Sequence, residues 1–188
     1  EGAVMDAVRA SFLRVDLDAV KARAERVPWV QSASVRRAWP RDVYVQFTEQ
    51  QLLARWNGDA WVNQAMQAVR VPGGELPVGT PRLEGPEGTQ AQVYERYQAL
   101  SEVLAVSSLS LQRLVLTPRR TWRLDIAPTG KDHYTIVLIL DRDDTERKVE
   151  RFARIWPELA RGQRAIQHVD LRYTNGFAVQ WKNAAGGG

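Results

Sequence analysis

The chain has 188 residues, 44% hydrophobic and 26% charged, the balance of a globular protein long enough to bury a core unaided. It contains no cysteine, which removes thiol catalysis, disulfide staples and the usual cysteine-bearing zinc sites together. The net charge is +4, yet the arginines run from Arg9 to Arg172 without a dense cluster and 22 acids are interleaved, a pattern that argues against nucleic-acid binding and for a solvated or protein-facing surface.

The first fifty residues form one pattern. Ala3 to Phe12 reads as a short helix, and Asp16 caps a second with Leu17, Val20, Ala24 and Val27 along one face before Pro28 stops it. Ala33, Val35 and Arg37 then alternate with polar neighbours, Trp39-Pro40-Arg41-Asp42 supplies a turn, and Val43, Val45 and Phe47 repeat the period of two. The unit is helix, helix, strand, turn, strand, with room for a missing first strand upstream. The chain opens at Glu1 with no initiator methionine and closes on Ala184-Ala185-Gly186-Gly187-Gly188, so it reads as a piece of a longer protein with a flexible tail.

Strands dominate from Gln51 onward. Leu53 to Trp56 leads through Asn57-Gly58 to Trp61-Val62-Asn63, and a further turn leads to Gln67–Val71. Pro72 to Gly88 is a proline- and glycine-rich loop, and a helix follows over Thr89–Val106 with Val93, Tyr97, Leu100 and Leu104 as its stripe. Leu114–Pro118 and Trp122–Ile126 alternate as strands. Tyr134 to Leu140 is apolar at nearly every position, the pattern of a central strand covered on both faces. Asp143 and Glu146 have the spacing of a capping box for a helix whose buried stripe is Val149, Phe152, Trp156 and Leu159, with Pro157 expected to kink or divide it. A hairpin closes the chain: Val169, Leu171 and Tyr173 on one strand, Phe177, Val179 and Trp181 on the other, and Asn175-Gly176 between them as a turn in which both residues tolerate positive φ.

Catalytic constellations are missing from this pattern. The two histidines, His133 and His168, lie far apart and adjoin no nucleophile or metal-ligand spacing. Asp141-Arg142-Asp143-Asp144 matches no calcium loop, and acids beside a helix N-terminus need no ion. Gly73-Gly74 lacks the lysine and helix of a phosphate loop, and Gly85-Pro86-Glu87-Gly88 reads as a plain turn. The expectation is a protein with no catalytic residues, no metal and no cofactor.

One resemblance covers the chain up to Trp181. The segment Val27-Pro28-Trp29-Val30-Gln31-Ser32-Ala33-Ser34-Val35-Arg36-Arg37-Ala38-Trp39-Pro40, followed by Val43–Glu49, resembles the POTRA domain of the FtsQ/DivIB family of bacterial cell-division proteins. Ala54-Arg55-Trp56-Asn57, Pro81–Gly88, Arg119-Arg120-Thr121-Trp122 and Val169-Asp170-Leu171-Arg172-Tyr173 match that family in the same order. The resemblance implies an α+β fold: a POTRA domain (β-α-α-β-β, its first strand truncated) over residues 1–49, a mixed β-sheet domain with helices over 50–182, and a tail over 183–188. It further implies a non-enzymatic divisome scaffold of the cell inner membrane, single-pass, with this part in the periplasm. Its partners would be FtsB and FtsL, with FtsK and other divisome proteins reached through the POTRA domain. Carried onto this sequence, the FtsB site falls at Arg172, Tyr173, Asn175, Gly176, Phe177 and Trp181, with Arg120 and Arg142 as charge contacts; at Arg142 the surrounding residues depart from the family's usual glycine. An exposed last strand suits strand addition by a partner, and aromatic side chains suit anchors, although Tyr173 and Phe177 would equally pack across their own hairpin. A POTRA-containing module of an outer-membrane assembly or secretion system is the alternative, weakened because a single such unit here precedes a helix-containing β domain.

Overall fold

A computed structural model describes residues 15–39, 42–73, 79–130, 134–162 and 164–182. The expected helix at Ala3–Phe12, the Pro40-Arg41 turn, His133 and the tail after Lys182 lie outside the described residues.

The N-terminal unit contains helix α1 (Leu17–Glu25) and the antiparallel strands β1 (Val30–Ala38) and β2 (Asp42–Glu49). Asp16 caps α1 as its position predicts: its Oδ1 accepts the backbone N–H groups of Asp18 and Ala19, both at 3.0 Å. Leu17, Val20, Ala24 and Val27 are half-buried while the residues between them, Asp18, Lys21, Ala22 and Arg23 among them, are exposed, so the stripe does face the sheet. Glu25 anchors the helix to β1 by accepting the Ala33 N–H at 3.0 Å. The unit buries little. Val30 and Ala33 are its fully buried hydrophobics among the described residues, and β2 leaves Tyr44, Val45 and Phe47 exposed.

The rest of the chain builds one nine-stranded mixed sheet. Its strands are β3 (Leu52–Trp56), β4 (Ala60–Asn63), β5 (Ala68–Val69), β6 (Arg82–Glu84), β7 (Leu109–Leu116), β8 (Trp122–Pro128), β9 (Ile136–Leu140), β10 (Ile166–Asp170) and β11 (Ala178–Trp181), in the order β11-β10-β9-β8-β7-β6-β3-β4-β5. Helix α2 (Gln90–Ala105) joins the parallel pair β6 and β7, and α3 (Thr145–Ala160) joins the parallel pair β9 and β10. Such parallel neighbours need a crossover, and a helix supplies it while covering the sheet. The helices touch each other through Arg96 and Glu146, 2.7 Å apart. Beneath them Leu83, Val93, Leu100, Leu104, Leu114, Leu124, Ile126, Leu138, Val149, Phe152 and Val169 are sealed from solvent.

Local patterns held where the helices cover the sheet and shifted elsewhere. Along β9, Ile136, Leu138 and Leu140 are buried but Val137 and Ile139 are only half-buried, so this central strand is covered on one face rather than two. Helices α2 and α3 both lie on the Ile136 side, and the Val137 side carries neither of them. The predicted capping box does not form. Helix α3 starts one residue later, with Asp144 at its N-cap in the left-handed region (φ 51°) and no side-chain cap, while Glu146 turns to Arg96.

Pro157 does not divide α3. A proline at that position leaves the carbonyl of Ala153 without its helical donor. Ser107, just past the end of α2, donates its hydroxyl to that oxygen at 2.8 Å. The helix stays continuous because a neighbouring element satisfies the freed acceptor. Ser107→Ala is therefore expected to lower stability by about 1–2 kcal/mol, measured by urea unfolding, with the loss concentrated where α2 meets α3.

Candidate functional site at the C-terminal edge

Among the described residues strand β11 is the last strand of the sheet and pairs only with β10. Its register is Asp170↔Ala178, Val169↔Val179 and His168↔Gln180, then Ile166↔Trp181 after a bulge. The Lys182 N–H donates to the Ala165 carbonyl at 2.8 Å, so Lys182 faces β10. Backbone groups alternate along a strand, so Ala178 and Gln180 also face β10 while Val179 and Trp181 present N–H and C=O to the outside. That row of donors and acceptors is a template for one more strand.

The connection preceding β11 is longer than Asn175-Gly176 suggested. Strand pairing stops at Asp170↔Ala178, and neither Asn175 nor Gly176 has positive φ. A loop from Leu171 to Phe177 takes the place of a two-residue turn. Leu171 extends the run of β10 by donating to the Ile139 carbonyl at 2.8 Å. The loop is then drawn toward α3: Arg151 donates to the carbonyls of Thr174 (2.8 Å), Tyr173 (3.3 Å) and Gly176 (3.5 Å). Phe177 packs edge-on against Phe152 with ring centroids 6.0 Å apart. An open cavity of about 460 Å³ is lined by Tyr173, Thr174, Asn175, Gly176, Phe177 and Ala178.

The three aromatics therefore have different surroundings. Tyr173 is 58% exposed and lies off the strands, in the loop. Phe177 holds the loop to the helix. Trp181 packs partly against the core at the other end of β11, opposite Ile166.

The register gathers most of the predicted charges at one end of the sheet. Trp122 opposite Leu140 and the Leu171–Ile139 bond bring the β7–β8 turn, the end of β9 and the end of β10 to the same side. Arg120 sits in that turn with φ 63°, reaching Gln92 at 3.3 Å. Arg142 follows β9, is open to solvent and meets Asp143 at 3.5 Å. Arg172 is committed inside the chain: its Nη2 lies 2.6 Å and its Nε 2.9 Å from the Asp170 carboxylate. That fork holds the Asp170 carboxyl below its ordinary value of 3.8. A carboxylate whose folded value is depressed stabilises the fold above its unfolded value and loses that contribution as pH falls through the folded one. Stability is thus expected to decline below about pH 4, and Asp170→Asn should flatten that acid limb in a pH series of thermal melts.

Of the acids weighed as a cation site, Asp141 and Asp143 are paired with neighbouring cations. Lys148, buried on the α3 stripe, places Nζ 2.6 and 2.7 Å from the two Asp141 oxygens. Among the described residues no group of three or more histidine, aspartate or glutamate side chains is arranged to hold a metal, and no helix is long and apolar enough to cross a membrane.

With this geometry in view, two family descriptions match the chain: "POTRA domain, FtsQ-type" over residues 2–50, and "Cell division protein FtsQ/DivIB, C-terminal" over residues 54–172. The chain belongs to the FtsQ/DivIB family. It is 37% identical over 182 residues to the cell division protein FtsQ of Shewanella oneidensis, an overlap of 97% of this chain and 67% of that protein. The FtsQ of Coxiella burnetii is 32% identical over 181 residues, covering 96% and 72%, and that of Escherichia coli 32% over 178 residues, covering 91% and 62%. Membership in FtsQ/DivIB gives the chain a role in cell division and accounts for its layout, a POTRA unit ahead of a mixed sheet with helices.

Within this FtsQ/DivIB frame, sequence reading missed Arg151 and Lys148. Lys148 carried a signal: it stands four residues before Phe152, on the apolar stripe, where a cation needs a buried partner. Arg151 carried none, because the carbonyls it holds lie more than twenty residues away.

Proposed function

We propose that this chain is a non-catalytic divisome scaffold whose β11 edge accepts an extended segment of FtsB, with FtsL held in the same assembly, so that early and late division proteins are joined. The observation that carries the reading is the outward-facing backbone of Val179 and Trp181 along the outer edge of the last strand. Backbone pairing supplies affinity with little selectivity. Selectivity comes from the end of the strand, where exposed Tyr173 and the loop cavity offer an anchor site and Arg120, Arg142 and Arg172 offer positive charge to acidic partner residues. Arg172 acts together with Asp170, so a partner carboxylate meets an arginine already oriented by its neighbour.

The same reading divides the chain into a POTRA module over 1–49, reaching FtsK and other division proteins, a partner-binding module over 50–182, and a tail over 183–188. It places the chain on the periplasmic side of the inner membrane, carried by a single span.

Titration with a peptide from the C-terminal periplasmic part of FtsB of the same organism tests the reading. Binding should saturate at one peptide per chain and drop at least tenfold in Tyr173→Ala, while the thermal midpoint stays within a degree or two because that ring is exposed. Trp181→Ala should lose both binding and some stability, since its ring packs on the core. Equal affinity in Tyr173→Ala and the parent would remove the loop from the site.

A further inference from the structure

The face of the sheet turned away from the helices carries a row of arginines that the partner edge does not use. Register partners share a face, and Arg55 pairs with Arg82, which pairs with Arg113, which pairs with Asp125 and then Val137. Three arginines therefore stand side by side on β3, β6 and β7. Arg113 is satisfied: it grips Glu84 with Nε at 2.8 Å and Nη2 at 2.9 Å, and meets Asp125 at 3.5 Å. Arg123 takes the other Asp125 oxygen at 3.2 Å. Both acids of this face are thus occupied. Arg55 lies over the Trp61 ring at 5.0 Å but meets no acid, and Arg82, exposed between two like charges, has no hydrogen bond or ion pair among the described residues.

Like charges placed directly opposite each other on neighbouring strands oppose folding. Among the described residues nothing offsets that cost at Arg82. A cavity of about 320 Å³ opens there, lined by Arg55, Gly58, Arg82, Leu83, Glu84 and Arg113. Further along the same face Val137 and Ile139 of β9 are half-buried and make a short apolar strip, beside Asp125 and Arg123 of β8.

We infer that this face is a second docking surface, taking an acidic, extended segment of a partner protein whose carboxylate sits between Arg55 and Arg82 and whose apolar side chain reaches the Val137–Ile139 strip of β9. Charge complementarity selects the occupant. Two unpaired guanidinium groups match one or two carboxylates, in the bidentate geometry arginine favours. The ion-paired Glu84 and Asp125 confine the free positive charge to Arg55 and Arg82, which suits one or two carboxylates better than the extended charge of a nucleic acid or an anionic lipid surface. From β6 to β9 is three strand spacings, about 14 Å, or about four residues of extended chain. The partner motif is therefore an acid followed four positions later by an aliphatic residue, lying across the strands.

The surface is independent of the β11 edge, so each can fail alone. The probe is the peptide acetyl-Asp-Glu-Thr-Ser-Thr-Val-amide, titrated by NMR against this chain, with acetyl-Asn-Gln-Thr-Ser-Thr-Val-amide as control. The acidic peptide should shift the Nε–H signals of Arg55 and Arg82 and the methyl signals of Val137 and Ile139, and the control should not. Arg82→Thr should weaken that binding at least tenfold, raise the melting midpoint of the free chain, and leave titration of the β11 edge with the FtsB peptide unchanged. Shifts confined to other surfaces, or a lowered midpoint in Arg82→Thr with binding intact, would overturn the proposal. So would equal saturation by inorganic phosphate at the same concentration, which makes the face a plain anion site, or Arg82-dependent sedimentation with phosphatidylglycerol vesicles, which makes it a lipid site.

Discussion

Val179→Pro is expected to abolish strand addition at β11 while leaving the β10–β11 pair intact. Proline removes one N–H, and the orientation set by the Lys182–Ala165 bond makes the N–H of Val179 one that faces outward. Proline is tolerated on edge strands for that reason. The core contact of the Val179 side chain shrinks only modestly, so a stability loss of about 1–2 kcal/mol is expected against a loss of partner binding of a hundredfold or more. Gln180→Pro is the matched control. Its N–H points toward β10, so it should break the internal pairing and release the strand. Calorimetric titration of both variants, with amide exchange on β10, separates the two outcomes. Retained binding in Val179→Pro would show that the partner does not pair with this edge.

Arg151→Ala has the second large effect. Three loop carbonyls converge on one guanidinium, and a hydrogen bond to a charged donor is worth about 1.5–3 kcal/mol. Without it the loop loses its hydrogen bonds to α3 and is tied there by the packing of Phe177, the residue that follows the segment, against Phe152. The expected result is a fold of slightly reduced stability whose loop amides exchange rapidly and whose partner affinity falls at least tenfold. Arg151→Lys should recover little, because a single ammonium cannot span three acceptors in the geometry of the planar fork. An unchanged affinity in Arg151→Ala would mean that loop order does not matter to docking.

These two residues also show how far the sequence carries. Helix stripes were legible because they are local: Val93, Leu100 and Leu104, and Val149, Phe152 and Trp156, lie at the 3.6-residue period and are buried together. Asp16 was legible for the same reason. Asn57-Gly58 formed the turn its chemistry favours, with φ of 47° and 90°, and Asn57 then bonds both backbone groups of Gly85 at 3.0 Å. Asn175-Gly176 has the same chemistry and a different outcome, because Arg151 and Phe152 on a distant helix hold its neighbours in a wider loop. The hairpin was predicted, but its turn was decided elsewhere. Tyr134–Leu140 misled in a related way. Continuous apolar sequence marks a central strand, yet whether one or two layers cover it depends on where the crossovers run. The order of the nine strands and the arginine row on the face away from the helices follow from pairing across long stretches of chain, which no local period encodes.

The two margins of that sheet are unequal. One is the four-residue β11 with its outward backbone; the other is β5, only two residues long. A sheet with two long margins can propagate, each copy serving as both template and guest. Among the described residues the sheet offers one margin of useful length, so strand addition is favoured on the β11 side. Two copies meeting through β11 would close on each other as a symmetric pair and shut that margin to anything else. Docking of a second copy and docking of a guest strand at β11 would thus compete for the same backbone groups, while the two-residue β5 leaves the far margin of the sheet with little to pair.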